Sequence, residues 1–274
     1  MELWEGRTLY SKVVASSLDP ETTFVDLVGR EHLPETLEAD VDRWELDKWS
    51  YTTVHAATNE PPQYISRDPS VRDSFMTIVG IESTEQLLAH WAAVQAGDID
   101  MDAFGGHTTW QTQYDRHLSR VPGKHVSFFQ MHAPYGIPGG WEARRDEVQD
   151  AMLEKWRRVA PNMGGDNILM TATETPEDIE IRMPNMRRGS IKHGDYNPLQ
   201  LGYYRPNQDC SSSATPIEGL YLCGASTYPG GLVVGGPGYL AAGRIADDMG
   251  TERWWKPTPE MERYLRTYFE GIDE

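Results

Sequence analysis

From Leu220 to Gly250 the chain runs through a short apolar stretch, a glycine-rich stretch and a helical pattern in direct succession. Leu220, Tyr221, Leu222 and Cys223 read as a buried strand. Gly224 closes it, and five of the ten residues from Pro229 to Gly238 are glycine. A backbone without β-carbons can lie flat against a ligand and offer it bare N–H groups. Pro237 suits a first helical turn. Tyr239, Ala241, Ala242, Arg244, Ile245 and Ala246 continue as helix, and Gly250 suits its end. A helix start behind such a loop carries unpaired N–H groups and a partial positive charge. The chemistry on offer is recognition of a phosphate, a carboxylate or an electron-rich carbonyl. An ordinary strand–turn–helix uses the same residue types, so the order of residues has to decide.

That order, Gly219-Leu-Tyr-Leu-Cys-Gly-Ala-Ser-Thr-Tyr-Pro-Gly-Gly and on to Ala242, resembles the C-terminal flavin-binding segment of the FAD-dependent phytoene desaturase-like oxidoreductases, the carotenoid desaturases and related amine oxidase-like enzymes. Two positions depart from the family pattern: Tyr228 stands where histidine is usual and Leu232 where glycine is frequent. The resemblance implies FAD as cofactor, with Gly224, Ala225, Ser226, Gly230, Gly231, Val234, Gly235, Gly236, Pro237 and Gly238 lying along the flavin. Ser17, at the end of an early strand, joins them. It also implies a substrate site to which Tyr239 and Arg205 contribute. The bases to consider for substrate oxidation are His193, within a family-like Gly-Ser-Ile-Lys-His-Gly, then Tyr228 beside the ring, then His55 and His132 from strands of the substrate domain. Each histidine can equally be a hydrogen-bonded structural or surface residue, and Arg205 a structural arginine.

The elements that would position these residues follow from the rest of the chain. The expected class is α/β (α+β mixed): part of a Rossmann-like FAD domain plus a sheet-and-helix substrate domain, completed by a partner chain. Residues 1–40 are expected to belong to the FAD domain, 41–185 to the substrate domain, 186–250 to the FAD domain again, and 251–274 to an extension that packs on this chain or a partner. Arg7 to Ser16 reads as a hairpin arm and strand, Asp19-Pro20 as a helix start and Gly29 as its stop. Trp44 to Tyr64 contains a strand. Thr84 to Gln95 reads as a helix with Leu87, Leu88, Trp91 and Val94 on one face. Residues 97–113 read as loop. A strand follows Gly123, with Val126, Phe128, Gln130 and His132 on one face and Ser127, Phe129 and Met131 on the other. Glu142 to Val159 is an amphipathic helix placing Val148, Met152, Trp156 and Val159 inward, and Asn167 to Thr173 is a strand. In the tail, Met261, Tyr264, Leu265, Tyr268 and Phe269 recur at helical spacing.

The 274 residues suffice for one large or two modest domains. The formal net charge of −17 argues against nucleic acid or an anionic membrane as the main partner. Nine acids against two bases between Glu21 and Asp47 read as a solvated acidic face. The two cysteines, Cys210 in a polar loop and Cys223 in the strand, give no disulfide framework and no metal-ligand spacing. No run approaches the length of a membrane span, and Met1-Glu-Leu-Trp-Glu carries no signal-peptide pattern, so the cytoplasm is the expected location.

What the chain does not contain is a strand–GxGxxG–helix unit, the motif that holds the pyrophosphate and ribose of FAD. Gly236-Pro-Gly238 is followed by Ala241 at the third place and does not head a βαβ unit. The resemblance therefore covers only the C-terminal half of the family's length. The expectation is one subunit of a heteromeric FAD-dependent oxidoreductase acting on an organic substrate, apolar or aromatic. The second subunit would carry GxGxxG. The alternatives are a scaffold or regulatory subunit without flavin contact, and a flavin-dependent isomerase or lyase without net redox.

Overall fold

The structure, a computed structural model, describes Leu3, residues 5–231 and residues 235–269. Two sheets organise it. The larger has the order β3-β4-β5-β2-β6 and is antiparallel throughout. Its strands are β2 (Ser50–Thr58), β3 (Met76–Val79), β4 (Gly106–Trp110), β5 (His125–Ala133) and β6 (Ile168–Glu174). In β5 the residues alternate as their side chains require: Ser127, Phe129, Met131 and Ala133 are buried, and Val126, Phe128, Gln130 and His132 line the half-open face. The buried face lies under helix α3 (Trp141–Val159), whose Val148, Met152 and Trp156 complete a core with Val54, Ala56, Phe129 and Met131.

Two strands lie where local signals were silent. β4 occupies part of the stretch read as loop, and β3 pairs with it through Ile78 opposite His107. Gly106 explains the silence. A β-carbon there would stand 2.0 Å from the Gln130 carbonyl oxygen, so the strand begins on a residue that sequence patterns score against strands. Pairing with β5 decides it. Helix α2 (Thr84–Gln95) starts on Ser83, whose hydroxyl accepts from the Gln86 N–H at 3.2 Å. Its inward stripe, however, is His90 and Val94. Leu87 and Leu88 face outward, and Trp91 sits at the margin.

The smaller sheet is a parallel pair, β1 (Val14–Ser16) with β7 (Leu220–Leu222), in the register Val14–Leu220 and Ser16–Leu222. The strand expected over Arg7 to Ser16 is thus only its last three residues. After β1, Asp19 accepts from the Thr22 N–H at 3.0 Å and starts a helical stretch that is π-type over Thr22–Val28. Gly29 ends it at φ +96°. Helix α1 (Glu35–Asp42) adds Leu37 and Val41 to a second core with Phe24, Leu220, Leu222 and Cys210. Cys210, expected in a polar loop, is fully buried, and burial pushes its thiol up to about 12; Cys223 is the more open of the two.

Helix α4 (Pro176–Arg182) opens with a capping box between Thr175 and Asp178. Arg187 then reaches Asp19 at 3.6 Å, Glu21 at 3.1 Å and Asp26, tying the return segment to the early helical stretch. Helix α5 (Gly236–Asp248) packs on β7, and the Tyr221 hydroxyl donates to Asp248 at 2.8 Å. The tail doubles back along α5. Arg253 pairs with Asp247, and the Trp255 ring lies 6.2 Å from Tyr239 in the helix's first turn. Helix α6 (Pro259–Phe269) follows, with Met261 and Tyr264 half exposed. Among the described residues, no helix is long and apolar enough to cross a membrane, and no cluster of side chains could hold a metal ion.

Candidate functional site

β1 and β7 end side by side, and the glycine segment begins there. The Cys223 N–H donates to Ser16 O at 2.8 Å. At the next residue a β-carbon would stand 2.2 Å from Ser17 O, so Gly224 is the residue that lets the two strand ends converge. Ser17 itself is exposed at this point, and Ser226 is buried with its hydroxyl 3.4 Å from Leu18 O. The loop then turns tightly, the Gly230 N–H donating to Thr227 O at 2.6 Å. Tyr228 projects at the tip, half exposed. Gly230, at φ +107°, leaves room for the Tyr196 hydroxyl, which a β-carbon would meet at 2.6 Å. Val234 lies outside the described residues.

The head of α5 is open. Gly235 adopts the left-handed conformation at φ +65°, and no side chain caps the first turn. Among the described residues, a β-carbon on Gly235 or on Gly238 would meet nothing within 4 Å. Pro237 contributes no N–H, and the Tyr239 N–H is already bonded to Gly235 O at 2.9 Å. Bare, uncapped backbone beside free space suits a flat, electron-rich ring system. The residues present therefore fit the isoalloxazine end of a flavin. At Gly230 and Gly231 the β-carbon positions are filled by Tyr196, Ala225 and Lys192.

Arg205 does not face this open space. Its guanidinium is fully buried and donates to the carbonyls of Ala225 (2.9 and 3.1 Å), Lys192 (2.6 Å), Gln200 (3.0 Å) and Asp195 (3.3 Å). Burial brings its pKa down to about 10. It braces the loop through Ala225 O and Lys192 O. His193 is enclosed as well. Its Nε2 lies 3.1 Å from the Asn185 side-chain nitrogen, and its carbonyl accepts from the Trp44 indole at 2.9 Å. Burial lowers its pKa, and its Nδ1 has no hydrogen-bond partner among the described residues. Enclosed in this way, the imidazole and its backbone tie the 189–194 turn to Asn185 and Trp44.

His132 stands on the half-open face of the large sheet. Its ring is 4.8 Å from Trp49, 5.0 Å from Tyr51 and 5.9 Å from Trp91. Burial, with the neighbouring His90, His107 and Lys192, lowers its pKa to about 4. The imidazole is neutral at pH 7, part of an aromatic wall that a proton would disrupt. His55 is on the same sheet face but opposite Phe128, four residues along β2 from Tyr51, or about 13 Å away. The structure thus places His132 in the Trp49–Tyr51–Trp91 cluster and Tyr239 beside Trp255 at the head of α5, and leaves His55 apart from both.

The wall and the loop are joined by a residue that the sequence reading passed over. Lys192 pairs with Asp47 at 2.5 Å, and its ammonium lies 4.1 Å from the Trp49 ring and 4.6 Å from the Tyr196 ring. Its Cα is 3.3 Å from where a β-carbon of Gly231 would stand. The only sequence signal was its position within Gly189-Ser-Ile-Lys-His-Gly. Two clefts lie elsewhere: about 770 Å³ around Trp110, Gln113 and His125, and about 1010 Å³ between residues 40–45 and 197–209. Neither is lined by the glycine segment.

The glycine segment and the aromatic-walled sheet belong to one mixed α/β architecture. No protein-family model matches the chain. It is 34% identical over 260 residues to a subunit of the limonene dehydrogenase of Castellaniella defragrans, covering 92% of this chain and 47% of that protein. It is 29% identical over 259 residues to pyridine nucleotide-disulfide oxidoreductase domain-containing protein 2 of Mus musculus, covering 90% of this chain and 43% of that protein. A solved oxidoreductase from Methanosarcina mazei aligns with 88% of this chain and 44% of its own, at TM-score 0.48 and 15% identity. The chain is a homologue of the two oxidoreductases that share its sequence, and it spans about half the length of these curated relatives.

Proposed function

We propose that this chain is the isoalloxazine-side and substrate-side part of a FAD-dependent oxidoreductase, acting as one subunit of a heteromeric enzyme. The GxGxxG half is supplied by a partner. In this reading residues 1–40 and 186–250 belong to the FAD domain, 41–185 form the substrate domain, and residues 251–274 are an extension at its edge. The observation that carries the reading is the head of α5, a helix start behind Gly235 that, among the described residues, has no side-chain cap and no neighbour within 4 Å of a β-carbon at Gly235 or Gly238. The bacterial relative is by name a dehydrogenase subunit, which supports assembly with other chains and oxidation of an organic compound.

FAD, when bound, supplies the acceptor for a hydride from the substrate. The chain's own residues do the rest. The α5 backbone N–H groups offer stabilisation where negative charge would collect. Trp49, Tyr51, Trp91 and neutral His132 exclude water from one side and suit an apolar or aromatic substrate. Arg205 holds the loop in place through Ala225 and Lys192. Tyr228 and Tyr239, both about half exposed, are the hydroxyls able to reach a substrate.

The test is co-expression with the neighbouring reading frame that carries GxGxxG, followed by a visible spectrum. The expected result is a flavin band in the assembled pair that neither chain holds alone. Gly235→Val and Gly236→Val should abolish that band, while Gly250→Val, also at a positive φ but remote from the helix head, should keep it. A pair that keeps both flavin and turnover in the first two variants would leave the scaffold role standing instead.

A further inference from the structure

A charged pair lies between the two surfaces that the proposed site needs, and it is almost wholly withdrawn from water. The Lys192 side chain is 12% exposed and that of Asp47 1%. Asp47 also accepts from the Ser190 hydroxyl at 2.5 Å, and that hydroxyl accepts from the Gly194 N–H at 3.0 Å. The Lys192 ammonium is sandwiched between two rings with different attachments. Trp49 leads into the wall of His132, Tyr51 and Trp91. Tyr196 leads into the loop: its hydroxyl donates to Gly231 O at 3.3 Å and fills the space beside Gly230. The backbone is tied too, because Lys192 O and Ala225 O accept from one guanidinium nitrogen of Arg205, at 2.6 and 2.9 Å.

A buried ion pair is a costly way to fill a gap, since apolar side chains of like volume serve stability as well or better. What a point charge between two rings does supply is a fixed distance on both sides at once. We propose that Asp47 and Lys192 are positioning residues that set the distance between the glycine loop and the aromatic wall, so that a substrate lodged against Trp49 meets the loop in one orientation. The inference rests on the flavin-site reading above for its functional meaning, but the mechanical coupling stands on this chain alone. Lys192 acts through Trp49 and Tyr196. Asp47 acts by holding Lys192 between them.

Two experiments test it, one on each level. In the chain alone, hydrogen exchange is compared between wild type and Lys192→Met. The coupling predicts faster exchange in residues 47–51 and in residues 224–231 together. A rise confined to residues 189–196 overturns the inference, whether or not any flavin is found. In the assembled enzyme, Lys192→Met and Asp47→Asn should each raise KM roughly tenfold with kcat within about threefold, and should alter the shape of the flavin band. Lys192→Arg keeps the cation between the rings and should restore most of the loss. The double variant removes both charges, leaves no unpaired one buried, and should be less impaired than the sum of the singles. Singles that match wild type in KM and band shape, or that lower kcat alone, overturn the positioning role. An assembled wild type without flavin overturns the functional reading and leaves the exchange result to decide the coupling.

Discussion

The two sheets of this molecule differ in how far each is finished. The five-stranded sheet has its own helix, α3, and a core in which Val54, Phe129, Met152 and Trp156 are fully buried. The parallel pair β1–β7 has only three residues in each strand, and Val14 is 42% exposed. Parallel strands are normally covered on both faces and belong to wider sheets. The larger sheet packs one face on a core of its own, whereas the parallel pair is short and leaves Val14 half open. The residues singled out for chemistry divide between the two, His132 and His55 on the larger sheet and the glycine segment at the end of the parallel pair.

That contrast can be broken or sharpened by measurement. The largest effect is expected from Trp156→Ala, which empties the centre of the α3 interface. Urea titration should show a loss of about 3–5 kcal/mol, and a loss under about 1 kcal/mol would mean that the larger core is not the stable one. Next comes Gly224→Ala, whose β-carbon would collide with Ser17 O, a backbone atom that cannot swing away. The expected cost is about 2–3 kcal/mol. Hydrogen exchange should place it in β1 and β7 while β2 and β5 keep their protection. Equal loss of protection in β5 would show that the two sheets open as one unit.

The smallest effect is a pH dependence. His132 has its pKa lowered from 6.5 to about 4 in the folded chain. The unfolded chain therefore binds more protons in that window. The stability linked to this group is complete above pH 6.5 and is lost as pH falls toward 4, with a slope of at most about 1.4 kcal/mol per pH unit. His55, His90 and His107 are lowered by burial too and act in the same direction. His132→Gln should flatten part of the slope in acid titrations of stability. An unchanged slope would remove His132 from the buried wall.

Much of this was legible in the sequence where local and tertiary demands agree. The alternation in β5, the amphipathic stripe of α3, the Ser83 cap of α2 and the strand–glycine–helix succession could be read from residue types alone. β3 and β4 could not, because their identity comes from pairing across the chain. The direction in which α2 turns was hidden for a related reason: a buried histidine displaced two leucines from the inner stripe. The glycine-rich turn before α5 was legible as a turn, since so many glycines suit neither strand nor helix. The roles of Arg205 and His193 were not, because a motif cannot say whether a side chain faces the ligand or the loop's underside. Lys192 escaped notice because its rings, Trp49 and Tyr196, are distant from it or from each other in sequence.

The returning tail has an optical consequence. Trp255 lies beside Tyr239 at the head of α5, and Trp254 is 5.7 Å from it. Two indoles are thus stationed at the edge of the glycine surface, within the range over which an excited tryptophan passes its energy to an absorbing neighbour. Any coloured ring that settles on that surface will dim their emission, and the chain carries its own reporter of occupancy without an added label.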